Sequence, residues 1–417
     1  MQVGDLAAGE SAEVEVPLAA PEPGVRVARG TAGFHSGDQR VERAFEGAVK
    51  VARPGRLGEV ANPFVVGKPL ASESAMFFGR AAEMAFVERA LASGDSGSVA
   101  VLHGQRRTGK TSLLRRLEAR LGDRYCVGFV DVQGMLVADT GAFFRELARC
   151  AAGESVSQPM LADGDAAAQW GDGGADMVRE AAEDAGRPVV LLLDEFDDLE
   201  EKVRSGRLSN NVFPQLRNLI QHSANVSLVL CGTHRLEKLA GDQWSFLLNL
   251  ATYRRVGCLD REDARQVLEV PLRRLGIVCE DAAVAHAVRL TGGHPYFLQL
   301  LGYRLIERCV DSGEAAVRVE LVEGAADEVV EQGDIHLRYL WERADPEEQA
   351  LLSALSACGF GATPDELQAQ VDVNASQMSH ALRRLVAAEL AREVRGRYTV
   401  RMGLLSRWVR TAGLGEY

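Results

Sequence analysis

The sequence is short of several features that would direct its reading elsewhere. Aromatic residues make up 6% of its 417 positions, and tryptophan occurs four times. No apolar run reaches the roughly 20 residues that a membrane-spanning helix needs, and the N-terminus carries no basic stretch followed by an apolar core of the leader type, so no membrane partner and a cytoplasmic location are expected. The seven cysteines (Cys126, Cys150, Cys231, Cys258, Cys279, Cys309 and Cys358) are odd in number and form no C-x-x-C pair. That pattern excludes a zinc site or a disulfide framework and suits reduced thiols. Positive charge is scarce, with 47 Lys and Arg against 59 Asp and Glu and a formal charge of −12. Coating of nucleic acid or anionic lipid by bulk charge is therefore excluded, while a local basic patch is not. No internal repeat is visible. What remains is 47% hydrophobic and 25% charged, enough for two to four domains, each with its own core.

The chain is organised around Val99 to Leu114, VAVLHGQRRTGKTSLL, an apolar run leading into Gly104-Gln-Arg-Arg-Thr108-Gly109-Lys110-Thr111-Ser112 and then a helical pattern. Strand, glycine-rich loop and helix match G-x-x-x-x-G-K-[ST] in full. Gly104 and Gly109 allow a tight turn whose N–H groups, with those of the helix start at Thr108 to Ser112, cradle phosphate oxygens. Lys110 is expected to reach the β and γ phosphates of ATP or ADP, and Thr111 to ligate Mg²⁺.

A second signal lies 84 positions after Lys110. Val189-Val-Leu-Leu-Leu-Asp194-Glu195 reads as a buried parallel strand that delivers two carboxylates at its C-terminal edge. Asp194 is placed to hold Mg²⁺ through water and Glu195 to polarise an attacking water. Asp197 and Asp198, which follow, fit a solvated role as well as a functional one. Ser227 to Gly232 reads as a further strand whose end would aim Thr233 or Arg235 at the γ phosphate. Arg217, Arg254 or Arg255 fit an arginine finger reaching a neighbouring subunit.

Elsewhere the reading is coarser. Ala12 to Leu18, Gly24 to Ala28 and Ala48 to Ala52 alternate like strands between Gly and Pro, giving a β-rich piece over 1–60, either a docking module or a linker. Ala61 to Leu70 holds two prolines and reads as an extended tether. Helices are expected over 111–121, 141–151, 177–185 and 213–222, with a loop over 153–174. From Leu259 onwards Asp260 caps a helix over 261–269, a break at Pro271 separates a second over 271–275, and others follow over 281–291 and from Pro295 to about Cys309. Asp345-Pro346-Glu347-Glu348 and Thr363-Pro-Asp-Glu366 start further helices, Ser376 or its neighbours a third, and Ala391 to Val400 a two-stranded wing turning at Arg395-Gly396. Thr363 to Tyr417 carries eight Arg against six Asp and Glu, and its third helix shows His380, Arg383 and Arg384 as basic groups, which is weak for a DNA reader.

Taken together, N-P-F-x-x-G-x-P-L, F-F-G-R-x-x-E, the phosphate loop, the Asp-Glu strand, G-T-H-R and G-G-H-P resemble bacterial STAND-class ATPases, relatives of AAA+ proteins. The resemblance implies an α/β P-loop NTPase with a parallel sheet over 61–257, a helical lid over 258–333 and a winged-helix domain over 334–417, preceded by the β-rich segment. It implies that Gly79 and Arg80 touch nucleotide, that Arg235 rather than Thr233 senses the γ phosphate, and that His294 and Pro295 approach the base or phosphates. It also implies an ATP-controlled switch that forms a homo-oligomer on activation, in bacterial signalling or phage defence. No effector or sensor repeat is legible, so a separate partner chain would supply them. The alternative is an origin-recognition-like or transcription-regulating ATPase that grips DNA with its winged helix, which the charge balance disfavours.

Overall fold

The structure, a computed structural model, describes residues 24–36, 39–51, 61–92, 97–154, 173–233 and 251–412. The strand expected over Ala12 to Leu18, most of the loop expected over 153–174, and His234 and Arg235 lie outside the described residues. The chain divides into two units, Met1–Ala61 and Asn62–Tyr417. In the first, β1 (Gly24–Ser36) and β2 (Gln39–Val51) pair antiparallel from Gly24↔Val51 to Ser36↔Gln39, so the described residues of the β-rich segment form two long paired strands.

The second unit is built on a parallel sheet of β3 (Val99–His103), β4 (Cys126–Asp131), β5 (Val189–Asp194), β6 (Val226–Gly232) and β7 (Ala251–Arg255), in the order β4-β5-β6-β3-β7. All six residues of β5 are buried because both faces of the sheet are covered, which is why the strand reads as an unbroken apolar run. Alternate side chains feed two cores. On one face, α1 (Ala81–Ala92) and α2 (Lys110–Leu121) pack Val87, Leu113 and Leu117 against Leu102, Val190 and Leu192. On the other, α3 (Thr140–Ala151), α4 (Gly174–Asp184) and α6 (Val212–His222) pack Phe143, Val178 and Leu216 against Val101, Leu191 and Leu193. A short α5 (Asp198–Arg204) follows β5.

The structure adds one strand and corrects one expectation. Strand β7 was not foreseen, since Ala-Thr-Tyr-Arg-Arg is half exposed and shows no apolar run; it adds to the edge of the sheet as a parallel partner of β3. The break at Pro271 does not occur, and α7 runs from Arg261 to Arg274. The missing N–H costs one backbone bond, but Val267, Leu268, Pro271 and Leu272 share a buried face that keeps the helix continuous.

Beyond α7 lie α8 (Asp281–Thr291), α9 (Pro295–Ser312), α10 (Val319–Gln332) and α11 (Asp334–Glu342), with β8 (Val278–Cys279) and β9 (Ala316–Val317) as a short parallel pair. Then come α12 (Pro346–Ala357), α13 (Pro364–Gln368), α14 (Ala375–Ala387), the antiparallel hairpin of β10 (Ala391–Val394) and β11 (Arg397–Val400), and α15 (Gly403–Ala412). Asp345 and Thr363 each complete a capping box, with Glu348 and Glu366 respectively. Arg395 and Gly396 both have positive φ, as a two-residue hairpin turn requires.

The tether ahead of α1 is fastened to α9. Asn62 Nδ2 donates to the Tyr303 carbonyl at 3.1 Å, the Val65 N–H donates to Gln299 Oε1 at 3.0 Å, and the buried Phe64 ring fills the space where Gly302 would carry a Cβ. Gly302→Ala is expected to displace Phe64 and cost ~1–3 kcal/mol as an overpacked contact, read as a lower thermal midpoint. An unchanged midpoint would mean that the tether is not fixed by this contact.

Candidate nucleotide site

The phosphate loop is braced by its own backbone and by the exit of β7. Gly104 follows β3, and a Cβ there would fall on the Val256 carbonyl oxygen, so its glycine serves close packing. Gly109 has open space around it but φ +89, so its glycine serves conformation. Lys110 opens α2, is nearly buried, and donates from Nζ to the Gln105 carbonyl at 3.0 Å, where Thr108 Oγ1 also donates at 2.9 Å. Arg80 reaches the loop from behind. Its Nη2 donates to the carbonyls of Thr108 (2.8 Å) and Gly257 (2.6 Å), and Nη1 pairs with Glu83 at 3.3 Å. The Ser112 hydroxyl accepts the Leu70 N–H at 3.0 Å, tying the tether to α2.

These parts enclose a cleft of about 440 Å³ between the tether, the loop, the end of β5 and the start of α9. Of the residues expected from the sequence, Arg80, Thr108, Gly109, Lys110, Thr111, Ser112, Glu195 and Pro295 stand on its wall. Gly79, Gly104, Asp194 and His294 do not. Gly79 packs where a Cβ would strike the Asp263 carboxylate, and Asp194 sits one step behind the wall, linked to it through Thr111.

Asp194 is 3% exposed, accepts the Thr111 hydroxyl on Oδ2 at 2.6 Å and the Glu195 N–H on Oδ1 at 3.1 Å. Burial raises its pKa above the ordinary carboxylate value, opposed by those two hydrogen bonds and by Lys110. Burial also raises Glu195, with Lys110 opposing and Asp194 and Asp197 reinforcing. A buried acid and a half-buried one thus lie near one ammonium. The oxygen donors Thr111 and Asp194, short of positive charge, fit a hard divalent cation such as Mg²⁺.

The other described residues singled out in the sequence lie away from the cleft wall. Thr233 does not face the cleft; its hydroxyl donates to Asp197 Oδ2 at 2.8 Å, and Asp197 thereby holds the end of β6. His294 is turned into the core, 1% exposed, its ring centroid 5.3 Å from those of Phe297 and His336. Desolvation holds its pKa well below the ordinary value, with the positive charge of Arg80 and Arg107 contributing. Arg255 lies 3.6 Å from Glu389 of its own chain, Arg254 stands on the same strand, and Arg217 is exposed on α6 with Nε donating to Gln221 at 3.2 Å. Sequence reasoning missed Arg107, whose guanidinium lies 4.3 Å from the centre of the Tyr296 ring, both on the wall, and Gln133 beyond β4. Tyr296 directly follows the proline that was singled out; Gln133 has no sequence signal.

Comparison with known proteins agrees with this geometry. Residues 94–240 match the AAA domain family model. Among solved structures, the Walker-type ATPase paby2304 of Pyrococcus abyssi is similar at 17% identity and TM-score 0.55, covering 84% of this chain and 99% of that one. The ORC2 protein of Aeropyrum pernix, solved as ADPNP–ADP complexes, is similar at 14% identity and TM-score 0.53, covering 83% and 95%. Nothing matches among curated protein sequences. The chain therefore carries a P-loop domain of the AAA type, with the nucleotide binding that this domain implies.

Lys110→Ala is expected to weaken ATP binding about 100-fold or more, because removing one partner of a buried charged contact costs ~3 kcal/mol or more. Calorimetry on the folded variant measures it, and wild-type affinity would overturn the assignment of the cleft.

Proposed function

We propose that this AAA-type P-loop chain is an ATP-hydrolysing molecular switch of the STAND kind, whose C-terminal helices and hairpin lock the nucleotide core and release it under ATP control. The observation that carries this reading is the docking of the segment between α14 and β10 on the phosphate loop itself. Gln105, inside the loop, donates its amide to the Ala388 carbonyl. Glu389, held at φ +58, accepts the Cys258 N–H at 3.0 Å and lies 3.6 Å from both Arg255 and Arg401. The loop that grips phosphate and the element that would swing thus share one hydrogen bond, and Glu389 fastens that element to Cys258 and Arg255 at the exit of β7.

In this reading 61–257 is the core, 258–333 the lid and 334–417 a winged helix, with β10–β11 as its wing. Lys110 binds the β and γ phosphates, the N–H groups of Thr108 to Ser112 cradle them, and Pro295 and Tyr296 close the opposite wall. Thr111 and Asp194 would hold Mg²⁺, which neutralises phosphate charge when bound. Glu195 takes the proton of the attacking water, and its raised pKa suits it to that exchange. The activated form is a homo-oligomer, and a separate chain supplies the effector or sensor. DNA gripping is less favoured, because Arg384 of α14 is turned into ion pairs with Asp345 and Glu348 of its own chain. The fold shared with the ORC2 protein keeps that second reading open to test. Duplex affinity that falls steeply with salt, about one log-log slope unit per phosphate contact, would favour it.

Two outcomes are expected. Glu195→Gln retains ATP affinity and lowers turnover about 100-fold or more, since an amide takes up no proton; equal rates would move the base elsewhere, with Asp197 next. Glu389→Ala releases ADP about tenfold faster, the equivalent of ~1.4 kcal/mol, and shifts the chain toward larger assemblies with ATP by mass photometry. Unchanged release and assembly would sink the locking role.

A further inference from the structure

A second cleft, of about 460 Å³, lies outside the nucleotide site between α7, α8 and the hairpin. Four guanidinium groups line it: Arg261 from the first turn of α7, Arg289 from the last turn of α8, Arg392 from β10, and Arg401 just after β11. In a chain of net charge −12 this is a concentration of one sign. The single carboxylate on the wall, Asp260, is already engaged as the cap of α7, accepting the Asp263 N–H at 2.8 Å. Arg401 is held in place by the Gly292 carbonyl at 3.2 Å and by Glu389. Arg392 donates to the Thr399 hydroxyl at 3.1 Å, and Arg289 lies 3.1 Å from His286 Nδ1. With described residues, Arg261, Arg289 and Arg392 form no ion pair. Leu259, Ala285, Val288, Gly292 and Gly293 give the cleft an apolar, unobstructed floor.

We infer that this cleft is a binding site for a small molecule carrying two or more phosphates. Guanidinium forks match phosphate geometry bidentately, and of the four around this concavity only Arg401 has a carboxylate partner among the described residues, Glu389, so Arg261, Arg289 and Arg392 keep positive charge for an anion to neutralise. The volume, comparable with that of the nucleotide cleft, suits a molecule larger than a single phosphate. Its concave shape disfavours a duplex, since groove reading needs an element that projects into the nucleic acid. Because two of the arginines belong to α7 and α8 and two to the hairpin and its end, the ligand would bridge lid and hairpin and stabilise their contact. This assignment concerns a site separate from the one that binds ATP.

The test uses the full chain loaded with ADP and Mg²⁺, so that the phosphate loop is filled, and titrates pyrophosphate by calorimetry at physiological ionic strength. One site per chain is expected, with inorganic phosphate binding more weakly. The double variant Arg289→Gln with Arg392→Gln is expected to lose tenfold or more in pyrophosphate affinity while keeping its thermal midpoint and its ADP affinity. A pyrophosphate titration on Lys110→Ala without nucleotide, whose phosphate loop has lost its ammonium, is expected to show the same single site. Absence of pyrophosphate binding, or binding undiminished in the double variant, would overturn the site. So would a short DNA duplex that binds more tightly than pyrophosphate and loses that binding in the same variant, since the cleft would then serve a nucleic-acid backbone.

Discussion

The backbone from Val256 to Leu259, where the edge strand leaves the sheet, is the constraint on which the rest of the described structure depends. The Val256 carbonyl fixes Gly104 as a glycine, the Gly257 carbonyl accepts from Arg80, the Cys258 N–H donates to Glu389, and the Leu259 N–H donates to the Gly293 carbonyl at 2.8 Å. Four successive residues thus touch the phosphate loop, the turn before α1, the start of the hairpin and the turn between α8 and α9. Backbone groups buried in this way must be paired, so a shift in any one neighbour leaves a donor or acceptor of the others unsatisfied. That is how coupling between nucleotide and C-terminal segment can arise without a long chain of side chains.

Backbone strain marks the same region. Non-glycine residues with positive φ among the described residues are Arg80, Arg107, Glu195, Glu389 and Arg395. Apart from Arg395, which closes a hairpin, they stand on the nucleotide cleft or on the docking contact. Each such residue costs of the order of 1–2 kcal/mol, which the surrounding hydrogen bonds must offset. Arg80 shows the logic: its left-handed conformation lets one guanidinium reach two carbonyls that lie 149 residues apart in the sequence, Thr108 and Gly257.

The parts of the fold that were legible in the sequence are those whose physics is local. Gly104 to Thr111 carries its loop in its own spacing, Val189 to Asp194 carries its burial in an unbroken apolar run, and Asp260, Asp345 and Thr363 carry helix starts in their caps. What was not legible depends on neighbours far along the chain. Strand β7 is recruited by β3, Pro271 is tolerated because a buried face holds its helix, and His294 is drawn into an aromatic cluster with Phe297 and His336. Thr233 answers to Asp197, 36 residues before it, rather than to the cleft. The arginine-lined cleft is the extreme case, as its four side chains come from elements spread over Arg261 to Arg401.

The strand order also sets when the site can exist during synthesis. Strand β3 pairs with β6 in a register that joins Val99 to Leu228 and with β7 in one that joins Val99 to Ala251. The nascent phosphate loop therefore emerges from the ribosome with neither sheet neighbour made, and at ~5–20 residues per second it waits about 8–30 seconds for both. Until then its apolar strand is exposed, which makes the interval before Arg255 appears the stage at which a chaperone would be needed most.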